Sequence, residues 1–173
     1  MASLKKTGCG LKGEFVTGAG KGSLVSVNIE LRKTLGLYAN VVHAFNIPGI
    51  ASRHNGVDIV IIRENTEGEY AGMEHEVAPG ITESLKVMTR EGTRKIAQYA
   101  FEYAYLNNRQ KVTAVHKANI MKKADGIFLE SCAEVAKAFP TVEYEEVIVR
   151  GRAVPAAGPA RRPGVAALGC ACS

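Results

Sequence analysis

Between Val57 and Tyr70 the chain reads VDIVIIRENTEGEY, and this stretch constrains the fold more than any other. Val57, Ile59, Val60, Ile61 and Ile62 form a nearly unbroken β-branched run, which predicts a strand buried on both faces of a sheet. Such a strand admits no charge until it ends. Arg63, Glu64 and Asn65 therefore fall where the strand emerges, at the edge where sheets of this class carry binding groups, and Tyr70 follows one short turn later. The plainer alternative is a strand terminus with solvated charges, and local chemistry leaves both open.

Strand and helix signals alternate through the rest of the chain. Residues 1–22, rich in glycine and lysine, read as loop. Residues 23–37 read as a helix, with Val27, Leu31 and Leu35 at four-residue spacing and Gly36 closing the run. Residues 38–47 hold a strand-like NVVHAF core before the turn at Ile47-Pro48-Gly49. Pro79-Gly80 centres a hairpin-like arm over residues 71–89, a candidate surface for a partner. Thr89 is a plausible N-cap for a helix reaching Leu106, with Ile96, Ala100, Phe101 and Ala104 on one face. A strand over 111–118, a helix over 124–139 stopped by Pro140, and a strand over 141–149 complete an α/β pattern. From Gly151 the composition turns to alanine, glycine, proline and arginine without periodicity, so residues 150–173 are expected to be disordered, an aberrant tail of out-of-frame or intron-derived translation.

With 173 residues, 46% of them hydrophobic, the chain can build one soluble core. No apolar segment approaches the roughly 20 residues that span a bilayer, and the first residues show neither a secretory h-region nor a clear transit peptide. The net charge of +5 points to no nucleic acid, because Arg150, Arg152, Arg161 and Arg162 lie in the tail and no acid follows Glu146. Cys9, Cys132, Cys170 and Cys172 form no CxxC pair and read as reduced thiols.

Several groups could carry chemistry. Gly18-Ala-Gly20-Lys21-Gly22-Ser23 resembles a phosphate loop but fails both the P-loop and the GxGxxG spacing, so a flexible loop before a helix is the better reading. Ser26, Asn28 and Arg32 stand near a helix start; Asn28 and Arg32 share a face and could receive a carboxylate, although polar residues at helix starts are ordinary. His43, His54, His75 and His116 lack metal-ligand spacing. Glu64, Glu67, Glu69, Glu74 and Glu76 are dense enough for a cation site, with solvated loop charge the safer assumption for most of them. Lys117 ends an apolar strand, where burial would favour a general base and exposure a plain surface amine.

Taken together, RENTEGEY (from Arg63), SVNIELRK (from Ser26), LYANV (from Leu37) and VTAVHKANIMK (from Val112) resemble the NAD-dependent isocitrate dehydrogenases. These belong to the metal-dependent decarboxylating dehydrogenases, the isocitrate/isopropylmalate dehydrogenase family. The match runs from about Leu11 to Val149 and covers the middle of a family member. Isopropylmalate enzymes resemble RELTGGIY at the first motif, whereas homoisocitrate and tartrate enzymes come closer. GLKG, RHNGVDIVIIRENTEGEYAGMEHE and FEYAYLNNR resemble the mitochondrial plant- or alga-like enzyme and its regulatory subunit.

The resemblance implies NAD and Mg2+ or Mn2+ as cofactors, isocitrate as substrate and 2-oxoglutarate as product in the tricarboxylic acid cycle. By motif, Ser26, Asn28, Arg32 and Arg63 would hold substrate carboxylates, Tyr70 would handle the enol proton, and Lys117 would act as base toward the neighbouring subunit's site. It implies a hetero-oligomer with a catalytic subunit, a clasp over 71–89, residues 1–37 ending a large domain, residues 38–149 forming a small domain, and no membrane. Catalytic members show NVRP after LYA; here the chain reads NVVH, and Val42 stands where the arginine would be. That points to a regulatory-type subunit binding isocitrate or citrate; a catalytic-type subunit and a non-catalytic interaction fragment are the alternatives. The family's GDGIGPE start and its metal-binding aspartates are absent, so no metal ligand and no complete NAD pocket are expected, and the chain alone is expected to be inactive.

Overall fold

The computed structural model describes residues 2–13, 15 and 27–149, together with the backbone of residues 164–168. Helix α1 (Ala2–Thr7) replaces the first part of the loop expected over residues 1–22. Helix α2 (Val27–Leu35) lies within the expected helical span, and residues 23–26 fall outside the described set. Gly36, at φ 63°, and the Leu37 N–H bond to the Arg32 carbonyl close it, a left-handed stop that suits glycine.

Strands β1 (Ala39–Phe45) and β2 (Asp58–Glu64) pair antiparallel, Ala39 opposite Glu64 and Phe45 opposite Asp58. The strands β3 (Gly68–Ala78) and β4 (Ile81–Val87) form the hairpin arm as a separate two-stranded sheet around Pro79-Gly80. Helix α3 (Arg90–Leu106) starts at Thr89, whose hydroxyl accepts the Gly92 N–H. Then come β5 (Lys111–His116), α4 (Ala124–Ala136) and β6 (Glu143–Ile148).

One core holds these elements together. Val60 and Ile62 of β2, Val112 and Ala114 of β5, Ile96 and Phe101 of α3, and Phe128 and Cys132 of α4 are all buried in it. Both helices therefore cover the same face of the sheet. This corrects the expectation for β2: only alternate residues, Val60, Ile62 and Glu64, are fully buried, while Ile59, Ile61 and Arg63 on the opposite face are half-buried.

Beyond Val149 the structure describes one segment, Gly164–Leu168. Its backbone forms β7, parallel to β2 on one side and to β5 on the other, in a sheet of order β1-β2-β7-β5-β6. Two strand edges facing each other across one strand's width leave N–H and C=O groups that a third extended backbone satisfies. Insertion there demands extended backbone more than sequence periodicity, which is why composition did not reveal it.

Candidate functional site

Strands β2 and β5 end on the same edge of the sheet. Arg63 and Val115 both lie opposite Leu168 of β7, so the two strands finish level, separated by two strand spacings, roughly 10 Å. Open α/β sheets gather binding groups at this C-terminal edge. Arg63 leaves it from β2, and Lys117 leaves it just beyond β5.

The Arg63 guanidinium carbon sits 4.8 Å from the centre of the Tyr70 ring, and both side chains are half-buried. Glu64 builds the turn that brings Tyr70 there. Its carboxylate, 1% exposed, accepts the Thr66 N–H at 2.9 and 3.0 Å, the Thr66 hydroxyl, and the Glu67 N–H at 2.7 Å. The expectation of solvated charge is therefore corrected at Glu64, whose burial is tolerable because donors surround it. Glu67 in turn accepts the Thr89 N–H at 2.9 Å and the Thr89 hydroxyl, tying this turn to the start of α3.

A wall beside Arg63 comes from β1. Asn40 lies opposite Arg63 and Val42 opposite Ile61. Residues directly opposite share a face, as do residues two apart, so Asn40, Val42 and Arg63 all face away from α3 and α4. Val42 is 49% exposed on that face. Asn65, buried at the end of β2, donates its N–H to the Tyr38 carbonyl at 2.8 Å, and its Oδ1 has no hydrogen-bond partner among the described residues.

Helix α2 reaches this edge through Lys33, whose amine donates to the Ala71 carbonyl at 2.9 Å, next to Tyr70. The preceding residue, Arg32, is half-buried. Asn28 already has partners: its Nδ2 donates to the Phe15 carbonyl at 3.0 Å, and its Oδ1 accepts the Lys12 amine at 3.0 Å. Ser26 and the glycine-rich segment 18–23 lie outside the described residues.

Lys117 is fixed at both ends. Its amine donates to the Val149 carbonyl at 2.5 Å, its N–H donates to Asp125 Oδ2 at 2.6 Å, and its carbonyl accepts the Ile120 and Met121 N–H groups at 3.0 Å each.

Among the described residues, no group of three or more His, Cys, Asp or Glu could hold a metal ion. The described residues thus supply neither a metal centre nor the glycine-rich loop a dinucleotide would need. No described helix is long and apolar enough to cross a membrane.

A family model for isocitrate/isopropylmalate dehydrogenase matches residues 1–155. The chain belongs to the isocitrate/isopropylmalate dehydrogenase family. The mitochondrial NAD isocitrate dehydrogenase regulatory subunit 2 of Arabidopsis thaliana is 64% identical over 149 residues, covering 86% of this chain and 40% of that relative. Catalytic subunit 5 of the same organism is 50% identical over 149 residues, with the same coverage of 86% and 40%. The crystal structure of isocitrate dehydrogenase from Methylococcus capsulatus superposes with a TM-score of 0.84 at 38% identity, covering 98% of this chain and 55% of that one. The chain spans 40% of the length of these curated relatives.

In this isocitrate/isopropylmalate dehydrogenase chain, sequence reasoning missed two polar clusters. Asp58, at the far end of β2, binds the His43 ring at 2.7 Å and Arg109 at 2.8 Å. Both His43 Nε2 contacts cannot be hydrogen bonds at once; the shorter one, to the carboxylate, takes the proton, and the 3.4 Å approach of Arg109 to the ring is a contact only. The second cluster centres on Asp125, which also accepts the Lys86 amine at 2.8 Å. Neither had a local sequence signal, because the partners come from distant elements.

Proposed function

We propose that this chain is part of a regulatory-type subunit of mitochondrial NAD-dependent isocitrate dehydrogenase, the enzyme that converts isocitrate to 2-oxoglutarate. The observation that carries this reading is the place of Val42 beside Arg63 on one exposed face. Catalytic members of the resembled group put an arginine at that position. A second guanidinium there would pair with a substrate carboxylate, whereas valine presents an apolar wall. One charge-assisted bond is worth about 1.5–3 kcal/mol, or roughly one to two powers of ten in affinity or rate. The higher identity to a regulatory relative than to a catalytic one supports the same choice.

On this reading Arg63 and Arg32, with Ser26 and Asn28, receive the carboxylates of isocitrate or citrate. In a site that turns substrate over, the Tyr70 hydroxyl would meet the enol proton; beside Val42 its ring is the platform on which Arg63 rests. Lys117 serves as base toward the neighbouring catalytic subunit's site. Residues 1–37 end a large domain, and residues 38–149 form the small domain. The hairpin arm exposes Met73, Val77, Ile81 and Leu85, an apolar set suited to packing against that partner.

The test is a citrate and isocitrate titration of the chain co-purified with a catalytic subunit, as wild type and as Val42→Arg. The expected result is a change in affinity of about tenfold or more. Equal affinities would overturn the assigned contact, and co-purification without any tricarboxylate binding would favour a pure interaction role.

A further inference from the structure

We propose that Asp125 is a positioning residue for Lys117 and that its carboxylate couples the β3–β4 arm to that amine. This rests on the reading of Lys117 as a base toward the neighbouring site. Asp125 is 3% exposed, in the first turn of α4. Its two oxygens serve different parts of the fold. Oδ2 accepts the Lys117 N–H at 2.6 Å, and Oδ1 accepts the Lys86 amine, from β4 of the arm, at 2.8 Å. The pair is enclosed, with side-chain exposures of 10% for Lys86 and 4% for Asp125.

The described bonds within the segment between Lys117 and α4 are local. The Lys117 carbonyl closes a turn onto Ile120 and Met121, and the Asp125 N–H donates to the Met121 carbonyl at 3.0 Å. Lys123, at the N-cap position, makes no side-chain cap bond, so the carboxylate of Asp125 is what ties the helix start back to β5. An enclosed carboxylate with a cation on one oxygen is held in one orientation, because losing the cation would leave a buried negative charge less well compensated. Among the described residues, the Asp125 side chain thus links the placement of the arm to Lys117. Packing of a second subunit on the arm would set the geometry of the amine it needs.

The experiment uses the full chain assembled with a catalytic subunit, comparing wild type, Asp125→Asn, Lys86→Met and Lys117→Ala. Amide hydrogen exchange at Lys117 and steady-state turnover of isocitrate are read together. Both Asp125→Asn and Lys86→Met are expected to speed exchange at the Lys117 amide and to lower kcat, each on the order of tenfold, with KM changed less than about twofold. Unchanged exchange at Lys117 overturns the proposal. So does faster exchange with unchanged kcat while Lys117→Ala abolishes turnover. If Lys117→Ala leaves turnover intact, the base assignment is what fails, and the exchange result alone then decides whether Asp125 holds Lys117. Should Asp125→Asn not assemble, the double variant Asp125→Asn/Lys86→Met removes both charges together and carries the same expectation.

Discussion

Arg63 stacks on Tyr70, its guanidinium carbon 4.8 Å from the ring centre, although the two residues belong to different sheets. The stack exists because the Glu64 carboxylate winds the chain between them. It leaves the guanidinium edge, with its fork of donors, free to meet a carboxylate.

That arrangement makes the ring and the hydroxyl of Tyr70 separable. Tyr70→Leu removes the platform and should weaken citrate binding by about 0.5–1 kcal/mol, a few-fold in affinity, as for a partly exposed cation–π contact. Tyr70→Phe keeps the platform and should leave affinity within about twofold. Calorimetric titration of both variants distinguishes a stacking role from hydroxyl recognition of the ligand.

Glu64→Gln tests the turn itself. A glutamine amide would turn an NH2 toward the Thr66 or Glu67 N–H, setting donor against donor inside a buried site. The expected loss is about 2 kcal/mol or more in urea unfolding. A change below about 0.5 kcal/mol would show that the carboxylate is not what shapes this segment.

Gly92 has a sign-reversing prediction. A Cβ there would collide with the Glu67 carboxylate that caps Thr89. In the native background Gly92→Ala should be neutral or destabilising despite the better helix propensity of alanine. In a Glu67→Ala background the same change should stabilise by about 0.5–1 kcal/mol. Chemical unfolding of the four variants in the cycle checks this.

Asp58 supplies a pH dependence. The bond to His43, and then that to Arg109, hold its carboxyl below the usual carboxylate range. Folding thus favours the ionised form. Its stabilisation is present above the unfolded carboxyl's range and is lost as pH falls through the folded one. Because Asp58 is 44% exposed, the effect should be small, within about 1 kcal/mol. Asp58→Asn should therefore lower stability at neutral pH and converge with wild type in strong acid; a constant difference at all pH values would contradict it.

Local patterns were legible where one element carried its own signal. Thr89 announced the start of α3, Pro79-Gly80 announced the arm, and the β-branched run announced β2. The α/β class followed from their alternation, and the family from motifs that held Arg63, Tyr70 and Lys117. What stayed hidden depended on chain brought from elsewhere. Nothing near Glu64 distinguishes a solvated carboxylate from one that organises a turn, and the one-sided burial of β2 appears only once α3 and α4 choose a face. Asp125 meets a lysine 39 residues away. The strand at Gly164–Leu168 is defined by the two edges it joins, not by its own composition.

The claim beneath all of these is that the guanidinium leaving β2 receives a polycarboxylate. Isothermal titration of isocitrate into the chain assembled with its catalytic partner, as wild type and as Arg63→Met, tests it most directly. The account predicts affinity weaker by roughly one to two powers of ten in the variant, the worth of one charge-assisted bond. Matching affinities, with the assembly intact in both, would contradict it.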